Sequence, residues 1–78
     1  VWSTATATVG EMMGNPKVVE IIESVRPGTF AWFSTVMGMN MHASTFRELA
    51  GGFGLRVVAA VLVAMDAALA GMNDSQVG

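Results

Sequence analysis

A chain of 78 residues allows one domain with a small core, and this one is 53% hydrophobic but only 13% charged. Too few charges are present to coat a free-standing globule, so lipid or protein partners are expected to cover much of the surface. A net charge of −2 with four basic residues argues against a nucleic-acid footprint. The absence of cysteine excludes disulfides, thiolate metal sites and thiol catalysis.

Residues 1–14, VWSTATATVGEMMG, read as an N-terminal arm, extended or forming a short helix. Thr and Ala alternate, but Ala is a poor strand former and no partner strand is evident. Trp2 is amphipathic and suits an anchor at a membrane interface or in a partner groove. The first residue is Val rather than Met, which suggests a removed presequence or leader, or a truncated chain; no basic region or sustained apolar run of a signal peptide remains.

Residues 15–72 are expected to form a three-helix unit. Asn15-Pro16 is a start signal: Asn caps orphan amides, and Pro fits the first helical position, where no N–H is needed. The following KVVEIIESVR places Val18, Val19, Ile21, Ile22 and Val25 on one stripe. The predicted helix over 16–26 is too short to span a bilayer and ends at Pro27-Gly28. Its acidic Glu20 and Glu23 disfavour anionic lipid and favour docking on protein.

Thr29 caps a second predicted helix over 29–50. Ala31, Ser34, Thr35, Gly38, His42 and Thr45 share a small or polar face, roughly opposite Phe30, Phe33, Met37, Met41 and Ser44. The Gly51-Gly52-Phe53-Gly54 stretch reads as a hinge, because glycine disfavours continued helix. A phosphate cradle is not expected there, since no strand precedes it and no Lys-Ser/Thr follows.

The third predicted helix, 53–72, carries only Arg56 and Asp66 as charges. Val58, Val61, Leu62, Met65, Leu69 and Met72 share a bulky side, and Arg56, Ala59, Ala60, Val63, Ala67 and Ala70 share the other. Its eight Leu, Val and Phe residues favour insertion by roughly −2 to −5 kcal/mol, whereas a central Asp66 costs about 2.5–3.5 kcal/mol. The balance is near zero: alone the helix is a marginal span, and with a partner for Asp66 it becomes a comfortable one. Ala31, Gly38, Ala60, Ala64 and Ala67 are the expected packing positions, where small side chains let helices approach closely. Residues 73–78 form a polar tail.

His42 is the sole histidine and the candidate axial ligand of a tetrapyrrole such as a chlorophyll-type pigment; the bland alternative is a hydrogen bond between helices. Asp66 is expected to pair with a basic group, because an unpaired carboxylate among apolar helices is costly. Arg47 and Arg56 bracket the hinge as interface anchors, together with Trp2. No nucleophile–base pair, carboxylate couple or metal set is evident, so an enzyme is not expected.

These features point to an all-α fold: a short amphipathic N-terminal helix followed by a two-helix hairpin, with one or both hairpin helices embedded in a membrane or buried in an assembly. The expected role is a small structural or accessory subunit of a membrane protein complex of photosynthetic or respiratory type, in an organellar or bacterial membrane. Its partners would be larger membrane subunits and lipid, with no nucleic acid. The alternatives are a pilin-like protomer that self-associates into a filament and a soluble helical oligomerisation module.

Overall fold

The computed structural model describes residues 1–52 and 58–77, and these are mostly helical. In chain order the helices are α1 (Val9–Met13), α2 (Pro16–Val25), α3 (Thr29–Phe33), α4 (Val36–Met39), α5 (Phe46–Gly52) and α6 (Ala59–Val77). The only β pairing among the described residues is an isolated antiparallel bridge between Thr8 and Thr45.

That bridge joins two helix starts built by the same device. Thr8 Oγ1 accepts from the Glu11 N–H at 3.2 Å, and Glu11 Oε1 accepts from the Thr8 N–H at 2.9 Å. Thr45 and Glu48 repeat the exchange at 3.2 and 3.0 Å. Each box satisfies two amides that a helix start leaves without an intrahelical acceptor. Further amides are shared across the bridge: Val9 N–H donates to the Ser44 carbonyl, Gly10 N–H to that of His42, and Arg47 N–H to that of Thr4. The openings of α1 and α5 therefore complete one another.

Asn15 caps α2 through its side-chain oxygen, with Pro16 at the first helical position. Arg26, extended before Pro27, ends the helix, and Gly28 turns the chain at φ 87°, in the left-handed region where a side chain would be strained. Glu23 braces this turn, its two oxygens accepting from the amides of Gly28 and Phe30 at 2.9 and 3.1 Å.

The stretch expected as one helix over 29–50 instead forms α3, α4 and α5. Thr35 stops the first piece, because its hydroxyl caps α4 by accepting from the Gly38 N–H, and Thr45 does the same for α5. Gly38 is the buried residue of α4; a Cβ there would collide with the Trp32 carbonyl and the Phe33 Cα. This close approach folds α4 back on α3 and leaves no room for a continuous rod.

Val18 and Ile22, one turn apart on α2, are fully buried, as are Met65 and Leu69 on α6, and α2–α6 is the most extensive helix pairing. Val9, Met12, Phe33, Phe46 and Leu49 complete the same core. Phe46 is its aromatic centre, set edge-on to Phe33 and Phe30 with ring centroids 5.6 and 6.1 Å away.

Two further expectations are corrected. The last helix does not end at Met72, ahead of a polar tail, but runs to Val77, through Asn73, Asp74, Ser75 and Gln76. Its predicted opening, residues 53–57, and the Phe53-Gly54 half of the expected hinge lie outside the described residues, while Gly51 and Gly52 are helical. Among the described residues no helix is long and apolar enough to cross a membrane, which overturns the expected membrane localisation and transmembrane helices. Polar residues from Asn73 onward dilute the apolar stretch, and Leu62, Met65 and Leu69 are turned into the chain's own core.

Gly38→Ala is expected to cost about 1–3 kcal/mol by overpacking against backbone, whereas Gly14→Ala, in right-handed helical geometry with only ordinary contacts, should change stability by less than about 1 kcal/mol. Urea denaturation of the two variants checks this, and equal losses would contradict it. The bonds from Thr8 hold the Glu11 carboxyl below its usual 4.5. A depressed acid stabilises the fold above its unfolded value and loses that contribution as pH falls through the folded value. Thermal stability should therefore decline on acidification below about pH 5, and less steeply in Glu11→Gln; parallel melting curves would refute the assignment.

Candidate interaction surface and the arm latch

Asp66 is the polar centre of α6. Its Oδ1 accepts from the Thr4 N–H at 2.7 Å, and its Oδ2 from the Thr4 hydroxyl at 2.8 Å and from Arg47 Nη2 at 3.2 Å. Two helical turns on, Asn73 reads the backbone of Trp2 on both sides: Oδ1 accepts from its N–H at 2.9 Å and Nδ2 donates to its carbonyl at 2.8 Å. The two side chains thus latch the N-terminal arm to α6. Thr4 is fully buried and Trp2 packs partly buried against the core. Both oxygens of the carboxylate are engaged within the chain.

The strength of this latch is unevenly distributed. Arg47 is 60% exposed, and an ion pair so open to water contributes at most about 1 kcal/mol. The paired bonds from buried Thr4 to a charged acceptor contribute more, about 1.5–3 kcal/mol each before coupling.

His42 is half-buried, and its Nε2 donates to the Phe33 carbonyl at 2.8 Å. Its own carbonyl accepts from Gly10, so the residue ties α1 to the end of α3. Axial ligation of a macrocycle through Nε2 would require breaking the bond to Phe33, leaving Nδ1 as the alternative donor atom. Among the described residues no three His, Asp or Glu groups converge to hold a metal ion, and every buried side-chain nitrogen or oxygen has a hydrogen-bond partner.

The small residues singled out for packing divide. Gly38 is buried at the α3–α4 contact, whereas Ala31 is exposed and Ala60, Ala64 and Ala67 stand on the outer side of α6. That outer flank comprises Ala59, Ala60, Val63, Ala64, Ala67 and Ala70, all exposed and none charged, with Val63 at 67%. Within the chain α6 is therefore covered on one side only. A second apolar corner, Trp32, Val36, Met37 and Met39, is exposed on α3 and α4. Arg56 lies outside the described residues.

Thr4, Asn73 and Glu11 were not singled out by sequence. The spacing Thr-x-x-Glu at Thr8 and Thr45 carries the two caps and is legible as a helix-start signature. The partners of Asp66 and Asn73 have no local signal, since they lie 62 and 71 positions away. Comparison with family models, with curated proteins and with solved structures finds no match for this chain.

Asp66→Ala should lower unfolding free energy by about 2–4 kcal/mol, because it orphans the buried Thr4 amide and hydroxyl, whereas Arg47→Ala should cost less than about 1 kcal/mol. Denaturant titration of both variants decides between hydrogen bonding and ion pairing as the main term. A larger loss in Arg47→Ala would reverse the assignment.

Proposed function

We propose that this chain is a helical self-association module that pairs with a second copy through the outer flank of α6. The observation that supports the reading is the uncharged, exposed row from Ala59 to Ala70 on a helix whose opposite side is locked into the core. Identical uncharged flanks meet without like-charge repulsion, and alanine side chains let two helix axes come close. Asp66 and Asn73 keep this geometry by holding the arm on the other side of the helix.

Area sets the expected strength. The flank is roughly 20 Å long and about 10 Å wide, so two copies bury on the order of several hundred Å², short of the ~1,200–2,000 Å² of a stable complex. Association is therefore weak and concentration-dependent, with a Kd of about micromolar or higher.

Sedimentation velocity over a dilution series from about 1 mM to about 1 μM tests this. The chain should shift from dimer to monomer, and Val63→Glu should remain monomeric throughout with unchanged helical circular dichroism. A chain monomeric at the highest concentration, or a variant that associates as well as the parent, would refute the proposal.

A further inference from the structure

The seven methionines of this chain are placed in very different surroundings. Met12 and Met65 are fully buried, Met13, Met41 and Met72 pack half-buried against the core, and Met37 and Met39 stand out at 70% and 59% exposure. The exposure of the last two follows from the α3–α4 contact. Gly38 is the inward residue of α4, seated against the Trp32 carbonyl and the Phe33 backbone, so its two neighbours are turned to solvent. Val36 and Trp32 extend the same apolar corner. From Pro27 to Phe46 the sequence holds no Asp, Glu, Lys or Arg, so the apolarity of this corner rests on these few side chains.

We infer that α4 is a peroxide-sensitive modification site, at which Met37 and Met39 are converted to sulfoxides while the folded core is left intact. Each thioether sulfur attacks one oxygen of a hydroperoxide with a lone pair. A sulfur–oxygen bond forms as the oxygen–oxygen bond breaks, and the departing oxygen takes a proton and leaves as water when the oxidant is hydrogen peroxide. Sulfur gives up two electrons and the peroxide accepts them. No protein group is required for this step beyond access to the sulfur, which Met37 and Met39 have and Met12 and Met65 lack.

The product is a strongly polar S=O group in place of a soft apolar one, so two modifications turn an apolar corner into a polar one. Neither side chain contributes to the core, and the α3–α4 contact beneath them is made by Gly38 and backbone. The change is therefore confined to the surface and reversible by a sulfoxide-reducing thiol enzyme. It is independent of the α6 flank, which carries no methionine among its exposed residues.

The test treats the intact chain with hydrogen peroxide under native conditions and follows each methionine by peptide mass. Retention on a phenyl column and helical circular dichroism are recorded in parallel. Sulfoxide should form at Met37 and Met39 at least about tenfold faster than at Met12 and Met65, whose oxidation requires opening of the core. Retention should shorten, the helical signal should persist, and methionine sulfoxide reductase should restore retention. The double variant Met37→Leu, Met39→Leu keeps the apolar corner without the sulfurs and should hold its retention under the same treatment. Comparable oxidation of Met12 or Met65, loss of helical signal as Met37 and Met39 react, or an equal retention shift in the double variant would each overturn the inference.

Discussion

The Asp66 carboxylate reaches across 62 positions of chain to hold Thr4, and Asn73 repeats the grip across 71 positions on Trp2, two turns further along the same helix. A free arm of this composition has no reason to stay ordered, since it makes neither a strand nor a long helix. Bound to α6, it buries Thr4 and Ala7 and lays Trp2 against the core. The arm then delivers Thr8 to the place where it meets Thr45. From that bridge α1 and α5 start back to back, and their positions set where α2 and α6 pack. Much of the arrangement thus depends on two polar side chains of α6.

Asp66 and Asn73 also decide how α6 faces its surroundings. A carboxylate that accepts from a buried amide and hydroxyl must point toward the arm, which fixes the rotation of the helix about its own axis. Leu62, Met65 and Leu69 follow Asp66 inward, and the alanines with Val63 are left outside. The same rotation turns the helix's largest apolar groups away from any outside partner. What remains for a partner is a flat, narrow, uncharged strip, suited to weak pairing rather than to deep insertion.

The sequence announces those parts of the fold that rest on local chemistry. Asn15-Pro16 and Pro27-Gly28 bound α2 because a capping side chain and a fixed φ act within a few residues. The division of α6 into a bulky and a small side follows from its 3.6-residue period. Residues 29–50 misled because their apolar pattern continues unbroken, while the decisive features are two threonine caps and a glycine pressed on backbone. Of these, the Thr45–Glu48 spacing is readable in advance; the contact of Gly38 with Trp32 and Phe33 is not. Residues 73–78 looked like a polar tail, but the helix continues through Asn73, whose side chain holds Trp2. Asp66 looked like a charge in need of an outside partner or a membrane role. Its partners lie in its own chain, at a distance in sequence that no pattern reveals.

Because the chain has no cysteine, single cysteines placed along α6 report directly on which of its sides meets water. At concentrations low enough to hold the chain monomeric, thiol labelling of Ala60→Cys, Ala64→Cys and Ala67→Cys should proceed about as fast as in the unfolded chain. Leu62→Cys and Leu69→Cys should react only through opening of the core, and so far more slowly. Slow labelling on both sides of the helix in the dilute monomer would contradict a one-sidedly covered α6, and with it the account of the fold and of its interaction surface.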